Sequence, residues 1–243
     1  MGEIFAVFAA RRSEPCLLVG PTPGGSLASR GGESQNSVVA DQRFIPDACA
    51  LETVIATAEL QGRRARPPDT EGESEALFKL VRELAESPEA FFQTLVETAL
   101  KLSNAGSTGI SLLNENERCF VWPAVAGPLN VYLGDGTPRD FGPCGTVLDR
   151  DRTLLMQHPE RHFTYLAPIQ PPLEEVLLVP FYWEGKAVGT IWAVTHEQGR
   201  KFDPEDRRLI RGGGLAGAAA EKEGQLARRC GRPLPIRVVL TSP

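Results

Sequence analysis

The residues best able to do chemistry are a cysteine in a glycine-rich segment and a pair of histidines. Cys144 stands just before a predicted helical turn at 146–150, and a helix N-terminus lowers a thiol pKa and favours the reactive thiolate. Redox sensing and covalent attachment of a chromophore are two uses of such a thiol. The alternative is an inert packing residue, which is the usual role of a buried cysteine.

His158 and His162 lie four residues apart, a spacing that puts two imidazoles on one helix face and can hold a metal ion. Pro159 stands between them, so the HExxH pattern is missing and a helix there would have to begin at His158. We therefore predict no metal site. Pocket lining by His162, Tyr165 or His196 is the preferred interpretation, because ligand pockets combine aromatic walls with a few polar groups.

The loop at 134–145 is the predicted ligand-contacting segment. Phe141 offers an aromatic wall, and Arg139 can bind a carboxylate or phosphate through two hydrogen bonds. Gly145 permits backbone angles that other residues avoid. The alternative is a purely structural loop, in which Arg139 pairs with Asp140.

The elements that must position these residues follow from periodicity. Apolar residues at helical spacing predict one helix from residue 73 and a second after an N-cap at Ser87, and Asp203 predicts the start of a third. The order of helices and strands implies an α+β fold with an antiparallel sheet. Alternating patterns predict strands at 108–113, 118–124, 153–156, 174–181 and 186–195.

Two tryptophans lie on the predicted strands. Trp122 and Trp192 have core packing as their simplest role. Ile191 and Trp192 are adjacent, so on a strand they point to opposite faces. One of these two side chains is therefore expected to face a cavity.

Composition and charge exclude several classes of protein. Hydrophobic residues make up 42% of the 243, enough for a packed core, and the net charge of −5 argues against a nucleic-acid-binding domain. No apolar run approaches the roughly 20 residues that span a bilayer. The five cysteines are scattered without a CxxC pair. We expect a cytoplasmic chain with reduced thiols and no nucleic-acid or membrane partner, and we interpret the arginine cluster at 63–66 as a solvated linker.

Four stretches carry a resemblance to a known family. The most specific is TPRDFGPCG at 137–145, and the others are AGSTGISLL at 105–113, LLVPFY with GKAVGTIW between 177 and 192, and KFDPED at 201–206. These stretches resemble the GAF domain family of small-molecule sensors, in particular the GAF domains found with bacterial two-component sensor histidine kinases.

The resemblance divides the chain into four parts. Residues 1–47 are predicted to be a disordered extension, because they are rich in Gly, Pro and Ser. Residues 48–72 are predicted to form a helix, at 50–60, and a linker. Residues 73–222 would be the GAF sensor domain, and residues 223–243 a poorly structured tail.

The resemblance also implies a function and a site. It implies a six-stranded antiparallel sheet flanked by helices, with a ligand cavity between the sheet and the long loops. The chain would be a non-catalytic sensory or regulatory module with an unknown small-molecule ligand and no assigned cofactor. Its terminal helices would pair with those of a second copy, and a histidine kinase or another signalling protein would receive the signal, because the sequence shows no kinase core. The predicted ligand-binding residues are Trp122, Arg139, Phe141, Cys144, Gly145, His162, Tyr165 and Trp192.

Two other interpretations stay open. Some stand-alone GAF-fold proteins reduce free methionine sulfoxide through clustered cysteines, and here Cys119 and Cys144 would have to approach one another. The third interpretation is a scaffold whose helices bind partners. Bilin attachment is disfavoured, because bilin-binding relatives commonly have histidine after the attachment cysteine and Gly145 stands there.

Overall fold

The computed structural model describes residues 48–212, except 88–89, 115, 117 and 184–185. The predicted disordered extension and tail, at 1–47 and 223–243, lie outside the described residues. In the described part of the chain, helices pack on an antiparallel sheet, which confirms the predicted α+β class. No helix in that part is long and apolar enough to cross a membrane.

The secondary structure follows the predicted order. The helices are α1 (Thr57–Gly62), α2 (Thr70–Glu86), α3 (Phe91–Leu102), α4 (Pro143–Arg150) and α5, which begins at Pro204 and is described to residue 212. The strands are β1 (Ser107–Asn114), β2 (Cys119–Ala126), β3 (Gly136–Pro138), β4 (Leu154–Gln157), β5 (Glu175–Trp183) and β6 (Lys186–Thr195). Short 3₁₀ turns occur at Leu51–Thr53, Pro128–Tyr132, Pro159–Arg161 and Thr164–Leu166.

The six strands form one sheet in the order β3-β2-β1-β6-β5-β4, with every neighbouring pair antiparallel. This confirms the six-stranded antiparallel sheet. Strands β1 and β6 lie at the centre, and Trp192 of β6 sits opposite Gly109 on one side and Leu178 on the other. Each of these two central strands is therefore hydrogen-bonded to a neighbouring strand on both of its edges.

Alternation along each strand gives the sheet two different faces. On the helical face, Leu177 and Ile191 pack with apolar residues of α1, α2, α3 and α5. On the opposite face, Leu178 and Trp192 pack with α4 and the 3₁₀ turns. We call this second side the cavity face, because the site described below lies there.

A bulge in β2 explains why its alternation changes along the strand. Leu112 of β1 pairs with Val121, but Ile110 pairs with Ala124, so one extra residue is accommodated in β2. Phe120 and Trp122 share the cavity face.

The predicted capping residue is correct for α5 and wrong for α3. Asp203 caps α5 as predicted, because its Oδ1 accepts from the backbone N–H groups of Glu205 at 2.7 Å and Asp206 at 3.0 Å. The prediction that Ser87 caps the next helix was wrong. Ser87 ends α2, and α3 begins after Ala90 without a side-chain cap.

The predicted helix at 50–60 was also wrong in its first half. A 3₁₀ turn at Leu51–Thr53 is followed by a β-bridge between Ile55 and Met156, and α1 begins only at Thr57. The backbone N–H of Ala56 donates to Leu155 at 2.8 Å. The edge of β4 thus accepts and donates backbone hydrogen bonds that this segment would otherwise make within a helix.

The arginine cluster at 63–66 is not a solvated linker. Both Arg63 Nη groups bond the carboxylate of Glu175, at 2.7 and 2.9 Å, and Nη1 also donates to the carbonyl of Phe202 at 2.7 Å. The Glu175 side chain is 4% exposed. Its Oε2 additionally accepts from the Phe202 N–H at 2.9 Å, and Oε1 from Gln157 at 3.0 Å. The carboxylate therefore has partners on both oxygens.

Arg66 makes a second set of bonds to the start of α5. Its Nη1 lies 2.5 Å from Asp206 Oδ1 and 3.2 Å from Asp203 Oδ1, and its Nη2 donates to the Leu102 carbonyl at 3.1 Å. The Asp206 side chain is fully buried. We call this group, Arg63 and Arg66 with Glu175, Asp203 and Asp206, the arginine clasp. It ties the segment before α2 to β5 and to the first turn of α5.

Candidate ligand-binding site

A cavity of about 40 Å³ lies on the cavity face of the sheet. Strands β2, β5 and β6 form its floor, and it is covered by β3, α4, the 3₁₀ turn Pro128–Tyr132 and the segment from 159 to 173. No lining residue is charged. The lining residues are Trp122, Val176, Leu178, Trp192 and Val194 from the floor, and Leu129, Thr137, Pro143, Cys144, Pro159, Leu166, Ile169 and Leu173 from the cover.

Cys144 lies in the first turn of α4, and its thiol is buried in a chain of hydrogen bonds. The thiol donates to Ser111 Oγ at 3.3 Å and accepts from Thr190 Oγ1 at 3.2 Å. Trp192 Nε1 donates to the same Ser111 oxygen at 3.0 Å. These bonds place Cys144 in the cavity wall and fix the orientation of the Trp192 indole.

Burial raises the pKa of the Cys144 thiol, and the nearby hydroxyl groups of Ser111, Thr190 and Thr137 oppose this increase without reversing it. The expectation of a lowered pKa at a helix N-terminus was therefore wrong. Only 3% of the residue is exposed, so the loss of hydration outweighs the helix N-terminus. The thiol is protonated at neutral pH.

The two predicted tryptophans meet in the floor of the cavity. The rings of Trp122 and Trp192 lie 5.3 Å apart at 58°. Ile191 belongs to the helical face, so Trp192 is the member of that pair that faces the cavity. A Cβ atom at Gly109 would lie 2.1 Å from the Trp192 ring. Glycine at this position thus makes room for the indole.

Arg139 lies outside the cavity lining and takes part in loop structure instead. Its Nη2 donates to Asp149 Oδ1 of α4 at 2.6 Å, and Asp140 pairs with Arg118. A Cβ atom at Gly145 would lie 1.9 Å from the Arg139 carbonyl oxygen. Gly145 therefore allows the loop to approach α4 closely, and neither residue presents a group to the cavity.

Three predicted aromatic residues form a cluster beside the cavity. Phe141 is 46% exposed, and its ring lies 5.5 Å from His162, 5.3 Å from Phe163 and 6.1 Å from Tyr165. His162 Nδ1 donates to the carbonyl of Cys49 at 2.7 Å. Phe141 and His162 do not line the cavity. Tyr165 packs against the residues that do.

The remaining histidines have structural partners. His196 lies 2.8 Å from Ser107 Oγ through Nε2 and 2.8 Å from the carbonyl of Pro172 through Nδ1. His158 has a left-handed backbone and precedes a 3₁₀ turn, so it does not share a helix face with His162. Across the described residues, no group of three His, Cys, Asp or Glu side chains is placed to hold a metal ion.

Cys119, the other cysteine considered for chemistry, is buried in β2 opposite Pro138 and is disulfide-bonded. The expectation of reduced thiols was therefore wrong for Cys119. It precedes Phe120, whose side chain points to the cavity face. Alternation therefore directs the Cys119 side chain to the opposite face from Phe120, whereas Cys144 packs with Phe120.

Most of the cover was missed by sequence reasoning. The residues from Pro159 to Leu173 carry no regular periodicity, and they reach the cavity through two 3₁₀ turns. Thr137 was overlooked because a lone threonine gives no signal. Val176 and Leu178 were available from the alternation in β5, since they share the face of the predicted floor.

Several solved structures share this fold. The GAF domain of an Acinetobacter phosphoenolpyruvate-protein phosphotransferase is 18% identical, with a TM-score of 0.55, over 63% of this chain and 95% of that domain. The GAF domain of the corresponding Coxiella burnetii protein is 17% identical, with a TM-score of 0.53, over 67% and 98%. Free methionine-R-sulfoxide reductase from Neisseria meningitidis, solved with its substrate, is 15% identical, with a TM-score of 0.54, over 68% and 98%.

At these identities the likeness is one of fold. No curated protein matches the sequence. The sequence model of the GAF domain matches residues 85–220, which is more than half of the chain and includes β1 to β6. The sheet order, the cavity between sheet and cover, and this match agree, and the chain belongs to the GAF domain family.

Proposed function

We propose that this chain is a regulatory module in signal transduction, which binds a small molecule in the cavity and passes its occupancy to a partner protein. The observation that carries the proposal is the cavity itself, because it lies between the sheet on one side and separate covering segments on the other. A molecule held there would contact both layers at once. The similar domains from Acinetobacter and Coxiella burnetii are GAF domains of larger proteins, which fits a module of this kind.

The arginine clasp offers a route from the cavity to the helices. Val176 lines the cavity, and the preceding residue, Glu175, holds Arg63 and the N–H of Phe202. A ligand that displaces the start of β5 would move these partners, and with them the first turn of α5. Such coupling requires that the ligand bind one conformation more tightly than the other.

The helices would pass the signal to a second copy of the chain and to a kinase or another cytoplasmic signalling protein. Three apolar side chains on α2 support such pairing, since Leu77 is 60% exposed, Phe78 78% and Val81 41%. Sedimentation equilibrium of the full chain tests this part of the proposal. A strict monomer at high concentration would contradict pairing of two copies.

Native mass spectrometry of the full chain, purified from its own host, tests ligand binding directly. A retained small molecule is expected in the wild type. Val194→Ile adds a methyl group to the cavity wall and should reduce retention, whereas Val179→Ile adds the same group on the helical face. Equal retention by the two variants would contradict binding in the cavity.

A second candidate function is reduction of an oxidised thioether by Cys144. It is favoured by the shared fold with the Neisseria meningitidis reductase and by the position of Cys144 in the cavity wall. The raised pKa of the thiol predicts a slow reaction at neutral pH. Turnover of free methionine-R-sulfoxide with a thiol reductant, lost in Cys144→Ser and kept in Cys119→Ser, would establish this function, and turnover no faster than without protein would reject it.

A further inference from the structure

The wall of the cavity presents almost no polar atoms, although four of the lining residues carry polar side-chain groups. These residues are Trp122, Thr137, Cys144 and Trp192, and the other lining residues are all Leu, Ile, Val or Pro. The indole nitrogen of Trp122 and the hydroxyl oxygen of Thr137 are buried beneath the wall, almost inaccessible even to a molecule the size of water. A molecule in the cavity therefore meets the carbon atoms of these two side chains.

The other two polar groups are turned away from the cavity by hydrogen bonds. Trp192 Nε1 donates to Ser111 Oγ at 3.0 Å, and the thiol of Cys144 donates to the same oxygen at 3.3 Å. The sulfur also accepts from Thr190 Oγ1 at 3.2 Å. Ser111 and Thr190 are fully buried and do not belong to the lining. The hydrogen atoms of the indole and of the thiol are thus used inside the protein.

The backbone of the floor is also occupied. Strands β2, β5 and β6 each lie between two neighbouring strands, so their N–H and C=O groups are paired within the sheet. Where β2 extends beyond β3, the N–H of Trp122 donates to Asp135 at 2.8 Å and its carbonyl accepts from Gly134 at 2.9 Å. The floor therefore offers an apolar surface.

Such a cavity is poorly suited to water. A buried water molecule needs two to four polar partners, and cavities lined by apolar side chains stay dry and take up apolar molecules or xenon instead. A volume of about 40 Å³ has room for roughly three groups the size of water. An apolar molecule of this size would enter without having to displace bound water.

We propose that the cavity binds a small apolar molecule without hydrogen-bonding groups, of the class of hydrocarbons with two or three carbon atoms. This inference rests on the proposed function, namely that the cavity is a ligand site, and it specifies the class of ligand. Close contact with the wall would provide the affinity through dispersion. A polar group brought into the cavity would give up its hydrogen bonds to water and find none in their place.

Ethane and methanol test the inference on the full chain, because they have nearly the same shape and differ by a methyl group against a hydroxyl group. Binding is followed at raised ethane pressure through the methyl ¹H–¹³C signals of the protein. Ethane should shift the signals of Val176, Leu178 and Val194 in the floor saturably and leave those of Val179 and Ile191 on the helical face unchanged. Methanol should bind at least about tenfold more weakly.

Three variants that each change one methylene group supply a second measurement. Val194→Ile adds the group to the wall and should weaken ethane binding at least about fivefold, because it takes up part of the volume that ethane fills. Val179→Ile adds the same group on the helical face and should leave ethane binding unchanged. Ile169→Val removes the group from the cover and should strengthen propane binding. The wall variants thus shift affinity in opposite directions.

The outcomes separate the ligand class from the site. Methanol binding as tightly as ethane would overturn the ligand class and leave the cavity as a ligand site. A polar or charged molecule retained in native mass spectrometry by the wild type and lost in Val194→Ile would do the same. Failure of both ethane and methanol to shift any methyl signal of the floor would overturn the inference together with the proposed site.

Discussion

The helical face and the cavity face of the sheet differ in how their buried polar groups are satisfied. On the helical face, the carboxylate of Glu175 accepts from Arg63, Gln157 and the Phe202 backbone. On the cavity face, Trp122 Nε1 and Thr137 Oγ1 find no partner among the described residues. The two regions are adjacent, because Val176 lines the cavity and follows Glu175 directly.

The difference separates a region whose polar groups stabilise the fold from one whose polar groups do not. Charges with all partners in place hold two segments distant in sequence together. Buried polar atoms without partners raise the free energy of the folded protein. The two regions meet on β5, where Glu175 belongs to the first and Val176 lines the cavity.

The largest expected effect comes from removing a partner in the arginine clasp. Glu175→Ala leaves Arg63 and the N–H of Phe202 without their acceptor. Breaking a buried ion pair in this way costs about 3–5 kcal/mol. Urea-induced unfolding of the full chain, followed by circular dichroism, measures the loss.

The matched control is an exposed pair of the same chemistry. Glu52 bonds Arg150 at the surface, where the Glu52 side chain is 71% exposed. Glu52→Ala should cost far less than Glu175→Ala, because water screens such exposed pairs. Equal losses in the two variants would show that the clasp is no more important for stability than a surface contact.

The pH dependence of stability gives a smaller effect at the same residue. Burial alone would raise the pKa of Glu175, but the hydrogen bonds and charge of Arg63 and the N–H of Phe202 bring it below the ordinary value of 4.5. A carboxyl group with a lowered pKa in the folded state stabilises the protein fully above its unfolded pKa, and this contribution is lost as the pH falls through the folded pKa.

The neutral analogue Glu175→Gln isolates this contribution. The difference in the free energy of unfolding between wild type and Glu175→Gln should be largest near pH 7 and should shrink as the pH falls below 4.5. Other carboxylates contribute equally to both proteins and cancel. A difference that stays constant between pH 7 and pH 3 would contradict a charged Glu175 in the clasp.

The sequence predicted the strands well because each carries its own alternation, and it located the loop at 137–145 from its motif. It did not predict the partners of charged side chains. Arg63 meets Glu175 112 residues further along the chain, and no local pattern encodes such a distance. Arg139 was expected to bind a ligand, but its guanidinium instead donates a hydrogen bond to Asp149 of α4.

The cavity was harder to predict than the sheet for a related reason. Its floor follows from alternation, and Trp122 and Trp192, which were predicted to bind a ligand, lie in that floor. Its cover depends on how 3₁₀ turns with no periodicity fold back on the sheet. The pKa of the Cys144 thiol was also mispredicted, because it depends on burial, and the position of the residue at a helix N-terminus does not reveal burial.

On the cavity face, removal of a buried polar group is expected to increase the stability of the protein rather than to decrease it. Thr137→Val removes a buried hydroxyl without a partner and keeps the shape of the side chain. It should increase the free energy of unfolding of the ligand-free protein by about 1 kcal/mol. Thermal and urea unfolding should agree on the direction, and a loss of stability would show that the hydroxyl has a partner in the folded protein in solution.

The smallest effect on stability is expected outside both faces, on the exposed side of α2. Phe78 is 78% exposed, whereas Leu80 on the same helix is 8% exposed. Phe78→Ala should change the free energy of unfolding of the isolated chain by no more than about 0.5 kcal/mol, and Leu80→Ala should cost about 2–5 kcal/mol.

If two copies pair through α2, the Phe78 variant should instead weaken their association in sedimentation while its unfolding at low concentration stays unchanged. A large loss of stability in the dilute Phe78 variant would place this ring inside the packed structure, and α2 would then belong to the helical face on both of its sides.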